Sequence, residues 1–105
     1  MQRSALLFTA IAIASAPAAA QAPAVVDITK FAYEPREITV APGTTIRWTN
    51  RDETPHTVTD KGGELASAGL DTGDRYEHTF RTEGDYPYYC AVHPFMTGIV
   101  HVRRP

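Results

Sequence analysis

Gly84-Asp85-Tyr86-Pro87-Tyr88-Tyr89-Cys90-Ala91-Val92-His93-Pro94-Phe95-Met96 is the stretch of this 105-residue chain on which its fold class turns. In its first half Tyr86, Tyr88 and Cys90 alternate with Pro87 and Tyr89, the period of two that turns one face of a β-strand toward a core. The alternation then stops at a short Pro-containing loop and resumes at Val100 and Val102.

Working outward, the same period recurs. Val26 with Ile28, Ile38 with Val40, and Ile46 with Trp48 mark three earlier strands, closed by Pro42-Gly43 and by Asn50-Arg51-Asp52. Val58 marks a short fourth strand between Pro55 and the Asp60-Lys61-Gly62-Gly63 turn, and Tyr76, His78 and Phe80 share one face of a fifth. Seven short strands with turns every eight to twelve residues predict an all-β protein, a Greek-key β-sandwich of about seven to eight strands. Gly62 to Gly73 is the least patterned segment and reads as a long connection with at most a helical turn or an edge strand. A sandwich this small buries only about 60% of its extended-chain surface, so a bound metal would add stability.

The N-terminus reads differently. Arg3 gives a positive start, Ala5 to Ala14 an apolar run, and Ala18-Ala19-Ala20 a small-residue cleavage pattern, which together describe a secretory signal peptide at 1–20 and a mature domain at 21–105. Ser15, Pro17 and Gln21 break the run before it reaches the roughly 20 apolar residues of a membrane span. Ten Lys and Arg stand against twelve Asp and Glu, a net charge of −2; loss of Arg3 with the leader makes it −3. Nothing in that balance suits a nucleic acid or an anionic membrane.

Export makes the single cysteine informative. Outside the cytosol thiols usually pair, and Cys90 has no second cysteine to pair with. Four roles are open to it: a bridge between chains, a buried small hydrophobe, a nucleophile, or a metal ligand. His93 at i+3 and Met96 at i+6 favour the last, because thiolate, imidazole and thioether together suit copper. A trigonal His₂Cys set with a weak axial Met is the geometry of blue-copper electron transfer. His56, after Pro55 at a strand edge, supplies the second imidazole. Zinc would more usually take four strong Cys or His ligands. His78, alternating with Tyr76 and Phe80, reads as an aromatic core position, and His101, between Val100 and Val102, as solvent-facing.

The chain resembles the small type 1 copper proteins, the cupredoxins of the amicyanin and plastocyanin group. The likeness runs from Phe31-Ala32-Tyr33-Glu34-Pro35 and Val40-Ala41-Pro42-Gly43-Thr44 through Trp48-Thr49-Asn50 and Pro55-His56 to Gly84-Asp85-Tyr86 and the Cys90 loop. The two-residue gaps between Cys90, His93 and Met96 are similar to amicyanin. The resemblance implies one type 1 copper ion held by His56, Cys90, His93 and Met96. It also implies a periplasmic electron carrier rather than an enzyme, docking a redox partner such as a dehydrogenase or a c-type cytochrome near His93, Pro94 and Phe95. The competing class is a periplasmic module that delivers or buffers copper. A monomer is the default state. A copper oxidase or nitrite reductase needs more histidines than the four present, and Cys90 and His93 lie too close in sequence for a Cys-His hydrolase.

Two positions depart from the amicyanin pattern. Ala91-Val92 replaces the usual Thr-Pro, so Val92 has an N–H that proline lacks and is expected to donate it to the Cys90 thiolate, favouring Cu(I). Thr57 replaces the Asn that commonly follows the first ligand histidine and ties the ligand loops together, and a hydroxyl makes fewer such bonds than an amide.

Overall fold

The computed structural model describes residues 22–105; the leader read at 1–20 lies outside them. Seven strands follow one another without an intervening helix among these residues: β1 (Ala24–Thr29), β2 (Ala32–Glu34), β3 (Glu37–Val40), β4 (Thr44–Asn50), β5 (Arg75–Phe80), β6 (Gly84–Tyr89) and β7 (Thr97–Val102). They form two mixed sheets, ordered β2-β1-β4-β5 and β3-β7-β6. The parallel pairs are β1 with β4 and β3 with β7. The all-β sandwich expected from the alternation is the fold.

Its core follows the period of two. Val26 and Ile28 of β1, Ile46 and Trp48 of β4, and Phe80 of β5 project from the first sheet. Tyr88 of β6 with Val100 and Val102 of β7 project from the second, and all of these are buried. The sheets meet at Trp48, whose indole lies edge-on to Tyr88 and donates its Nε1–H to the Tyr88 hydroxyl at 3.1 Å. That bond satisfies two polar groups that burial would otherwise penalise, and burial pushes the Tyr88 hydroxyl pKa up to about 12. Gly98 stands opposite Tyr88 in the β6–β7 ladder, where a Cβ would come within 2.5 Å of the tyrosine hydroxyl and its ring carbon. Pro87 is accommodated because β6 is the edge strand of its sheet.

Three local expectations change. Val58 is buried but belongs to no strand: the segment around it makes only isolated bridges, His56 to Leu70, Thr59 to Ala66 and Thr59 to Tyr89. The seventh strand is instead β2, too short for alternation to reveal. Cys90 lies one residue past the end of β6. His78 does pack edge-on to Phe80, at 5 Å or less between centroids, but its Nε2 reaches Glu64 at 2.7 Å from a partly exposed position, so it is not a sealed core residue.

Candidate metal centre

The β1–β2 turn, the segment after β4 and the β6–β7 loop gather at one end of the sandwich, because β1 and β4 run parallel and β6 runs back against β7. The segment after β4 is held by backbone bonds between His56 and Leu70 in both directions and between Thr59 and Tyr89 in both directions. It is fixed further by Asn50, fully buried, whose side-chain amide donates to the carbonyls of Thr54 and Leu70 while its Oδ1 accepts from the Asp52 N–H. The β6–β7 loop is tightened by Met96 N–H to His93 carbonyl at 2.9 Å and Cys90 N–H to Met96 carbonyl at 3.1 Å.

These constraints bring three donors to one point. Sγ of Cys90 lies 3.8 Å from Nδ1 of His56 and 3.7 Å from Nδ1 of His93, and the ligand atoms of all three residues fall within 4.8 Å of one another. First-row metal bonds of about 2.0 Å to nitrogen and 2.3 Å to sulfur, 120° apart, place such donors about 3.7 Å from each other. The cluster thus fits a metal ion in trigonal surroundings. His56 and Cys90 are inaccessible to solvent and His93 is half-buried. Met96 is buried in the same loop. His101 is far from the cluster, on the outer face of β7, bonded to Asp85 and Glu37.

Three supporting residues complete the surroundings. Asp52 faces the outer nitrogen of His56, with 2.8 Å between Nε2 and Oδ2. A carboxylate only accepts, so Nε2 carries a proton and Nδ1 is the nitrogen turned toward Cys90, the usual orientation of a metal-binding histidine. Burial works against the Asp52 charge, but the Phe31 N–H, His56 and the Lys30 N–H outweigh it and hold the carboxyl below its ordinary range. Thr57 links the two ligand segments: its N–H points to Cys90 Sγ at 3.4 Å, its Oγ1 accepts from the Ala91 N–H at 2.8 Å, and its carbonyl accepts from the Tyr33 hydroxyl at 2.6 Å. Val92 makes no bond to the sulfur. Val92 is 58% exposed, and the expected Val92 donor is replaced by Thr57. Phe31 lies edge-on to both imidazoles, 5.0 Å from His56 and 5.1 Å from His93 between centroids. The roles of Asp52 and Phe31 were not legible in the sequence, where Asp52 read as turn punctuation and Phe31 as part of a family motif. A carboxylate four residues before a candidate ligand was the one available signal.

A buried thiol flanked by two inward-facing imidazoles at one end of a rigid β-sandwich defines a small copper protein. A sequence profile described as copper binding proteins, plastocyanin/azurin family, matches residues 20–103, and the chain belongs to that family. It is 42% identical over 83 residues to amicyanin from Paracoccus denitrificans, covering 74% of this chain and 63% of that protein. With amicyanin from Paracoccus versutus it shares 43% over 93 residues, 81% of this chain and 70% of that one. The crystal structure of Paracoccus versutus amicyanin superposes with a TM-score of 0.73 at 35% identity, over 86% of this chain and 87% of that chain. Amicyanins and plastocyanins are electron carriers with a type 1 copper, not enzymes. Copper is accordingly the cofactor, and His56, Cys90 and His93 form its candidate site.

Proposed function

We propose that the chain is exported with loss of residues 1–20 and that the domain at 21–105 works in the periplasm as a diffusible one-electron carrier between redox proteins. His56, Cys90, His93 and Met96 are the ligands of this reading. The observation that carries it is the convergence of Cys90 Sγ with Nδ1 of both histidines at 3.7–3.8 Å. Bound copper supplies a Cu(I)/Cu(II) couple.

The chain's own residues do the rest. Cys90 would hold the ion through its thiolate, His56 and His93 through imidazole nitrogens, and Met96 through its thioether, a soft donor set that suits copper. Thr57 and Asp52 hold the donors in place through bonds to both ligand segments, which favours a site that changes little when its charge changes. Tyr33, Tyr88 and Val58 are buried in the same core cluster as Cys90 and help keep water from it.

The route out is the half-buried ring of His93. Around it stand Phe95, 72% exposed, Val92 and Phe31, with Pro94 and Pro55 also at the surface. An apolar rim of this kind suits brief docking over a small area, and a net charge of about −3 adds little long-range steering. Among the described residues no helix is long and apolar enough to cross a membrane.

The test is direct. Copper(II) added to the apo-protein should give an intense blue colour that ascorbate bleaches and a mild oxidant restores, and Cys90→Ser should abolish it. A colourless Cu(I) form that never cycles would replace this reading with copper delivery.

A further inference from the structure

The two residues at the tip of the β1–β2 hairpin, Lys30 and Phe31, both have left-handed backbone, with φ of 53° and 58°. Two consecutive left-handed residues make the turn that matches hairpin twist, but Asn, Asp or Gly usually occupy it because other side chains are strained there. Something outside the hairpin must hold this one. Asp52 does so from 21 and 22 residues away: its Oδ1 accepts from the Lys30 N–H at 2.6 Å and its Oδ2 from the Phe31 N–H at 2.9 Å. The same Oδ2 accepts from Nε2 of His56. Phe31, set by that turn, lies edge-on to His56 and His93 and stacks with Phe95 at 6.5 Å.

We infer that Asp52 is a positioning residue that clamps the metal centre from outside, fixing the His56 proton on Nε2 with one oxygen while both oxygens hold the hairpin tip that presses Phe31 across the two imidazoles. The inference rests on the metal-centre reading, because ligation requires a free lone pair on His56 Nδ1. The donor pattern explains why the group must be a carboxylate. Three N–H groups converge on two oxygens, and an Asn amide would turn its NH₂ toward at least one of them. Loss of a partner that orients a ligating histidine typically weakens metal binding about 10–100-fold.

The experiment compares wild type, Asp52→Ala, Asp52→Asn, and Asp52→Ala combined with Lys30→Gly. Glycine tolerates the left-handed conformation, so the double variant relieves the strain at one of the two turn positions without restoring the contact to His56. Two quantities are read: the His56 tautomer in the apo-protein, from nitrogen-15 NMR, and copper affinity by chelator competition. In its neutral form, wild-type His56 should carry its proton on Nε2. Both single variants should show a mixed or reversed tautomer and at least about tenfold weaker binding, and the double variant should recover part of the urea resistance while keeping both defects. A single tautomer in Asp52→Ala, unchanged affinity, or full recovery by Lys30→Gly would overturn the inference. Should Asp52→Ala fail to fold, Asp52→Asn and the double variant carry the test. If wild type bound no copper while its apo tautomer behaved as described, the metal reading would fail and the Asp52–His56 contact would stand.

Discussion

The backbone N–H of Thr57 lies 3.4 Å from the sulfur of Cys90, 33 positions along the chain. The donor to the Cys90 sulfur thus comes from the segment carrying His56 and not from the loop carrying the cysteine. A hydrogen bond to a ligating sulfur draws charge from it and favours the lower metal charge, so under the proposed ligation the tuning element is built into the contact between the His56 and Cys90 segments.

Val92 is therefore expendable in this respect. Val92→Pro removes an N–H that the sulfur does not use, and the reduction potential of the copper-loaded protein, measured by voltammetry, should remain where it is in wild type. A clear fall would restore Val92 as the donor.

Removing the Thr57 hydroxyl has a different effect. Thr57→Ala leaves the Ala91 N–H without its 2.8 Å acceptor in a partly buried position, a loss of about 1–3 kcal/mol. Urea unfolding of the apo-protein should show that drop. Equal midpoints for the two proteins would mean that water replaces the hydroxyl.

As the proposed axial donor, Met96 should respond to chemistry more than to volume. Met96→Gln keeps a ligand of similar length but offers a harder oxygen, which favours Cu(II). Copper should stay bound and the potential should fall; an unchanged or raised potential would remove Met96 from the ligand set.

On the opposite face, His101 of β7 bridges Asp85 of β6 at 2.7 Å and Glu37 of β3 at 3.1 Å. Its bond to Asp85, then that to Glu37, raises its pKa above the ordinary 6.5. The bonds from His101, then Arg103, lower that of Asp85 below 3.8. A raised folded-state pKa stabilises fully below the unfolded value and loses that contribution as pH rises through the folded one; the lowered Asp85 value acts in the opposite sense on the acid side. The network is thus strongest between about pH 4 and 6.5. His101→Gln should reduce the urea midpoint more at about pH 5.5 than at pH 9, and an equal reduction at both would refute the linkage.

At Gly98 the constraint is steric. Gly98→Ala places a methyl within 2.5 Å of the Tyr88 ring, which cannot swing away without loosening the Trp48 bond. Overpacking of this kind costs about 1–3 kcal/mol, and thermal melting followed by Trp48 fluorescence should register it. An unchanged midpoint would mean that the Tyr88 ring moves freely.

Strand positions and burial were legible where alternation was long enough to read. Val26 with Ile28, Ile46 with Trp48, and Val100 with Val102 all turn inward as their spacing requires. The pattern failed at Ala32–Glu34, where three residues give too short a period, and at Val58, where burial comes from loop packing rather than pairing. Cys90, His93 and Met96 could be singled out from spacing because one short loop carries them.

By itself the sequence determined an all-β chain with soft donors at intervals of three, since side-chain period and ligand type are local properties. Only the tertiary structure decided which nitrogen of His56 meets Cys90, that Thr57 and not Val92 reaches the sulfur, and that Asp52 joins the hairpin tip to the centre. Those choices depend on groups 21 to 34 residues apart. Their distances are set by how the β1–β2 turn and the segment after β4 pack against the β6–β7 loop, which no local pattern encodes.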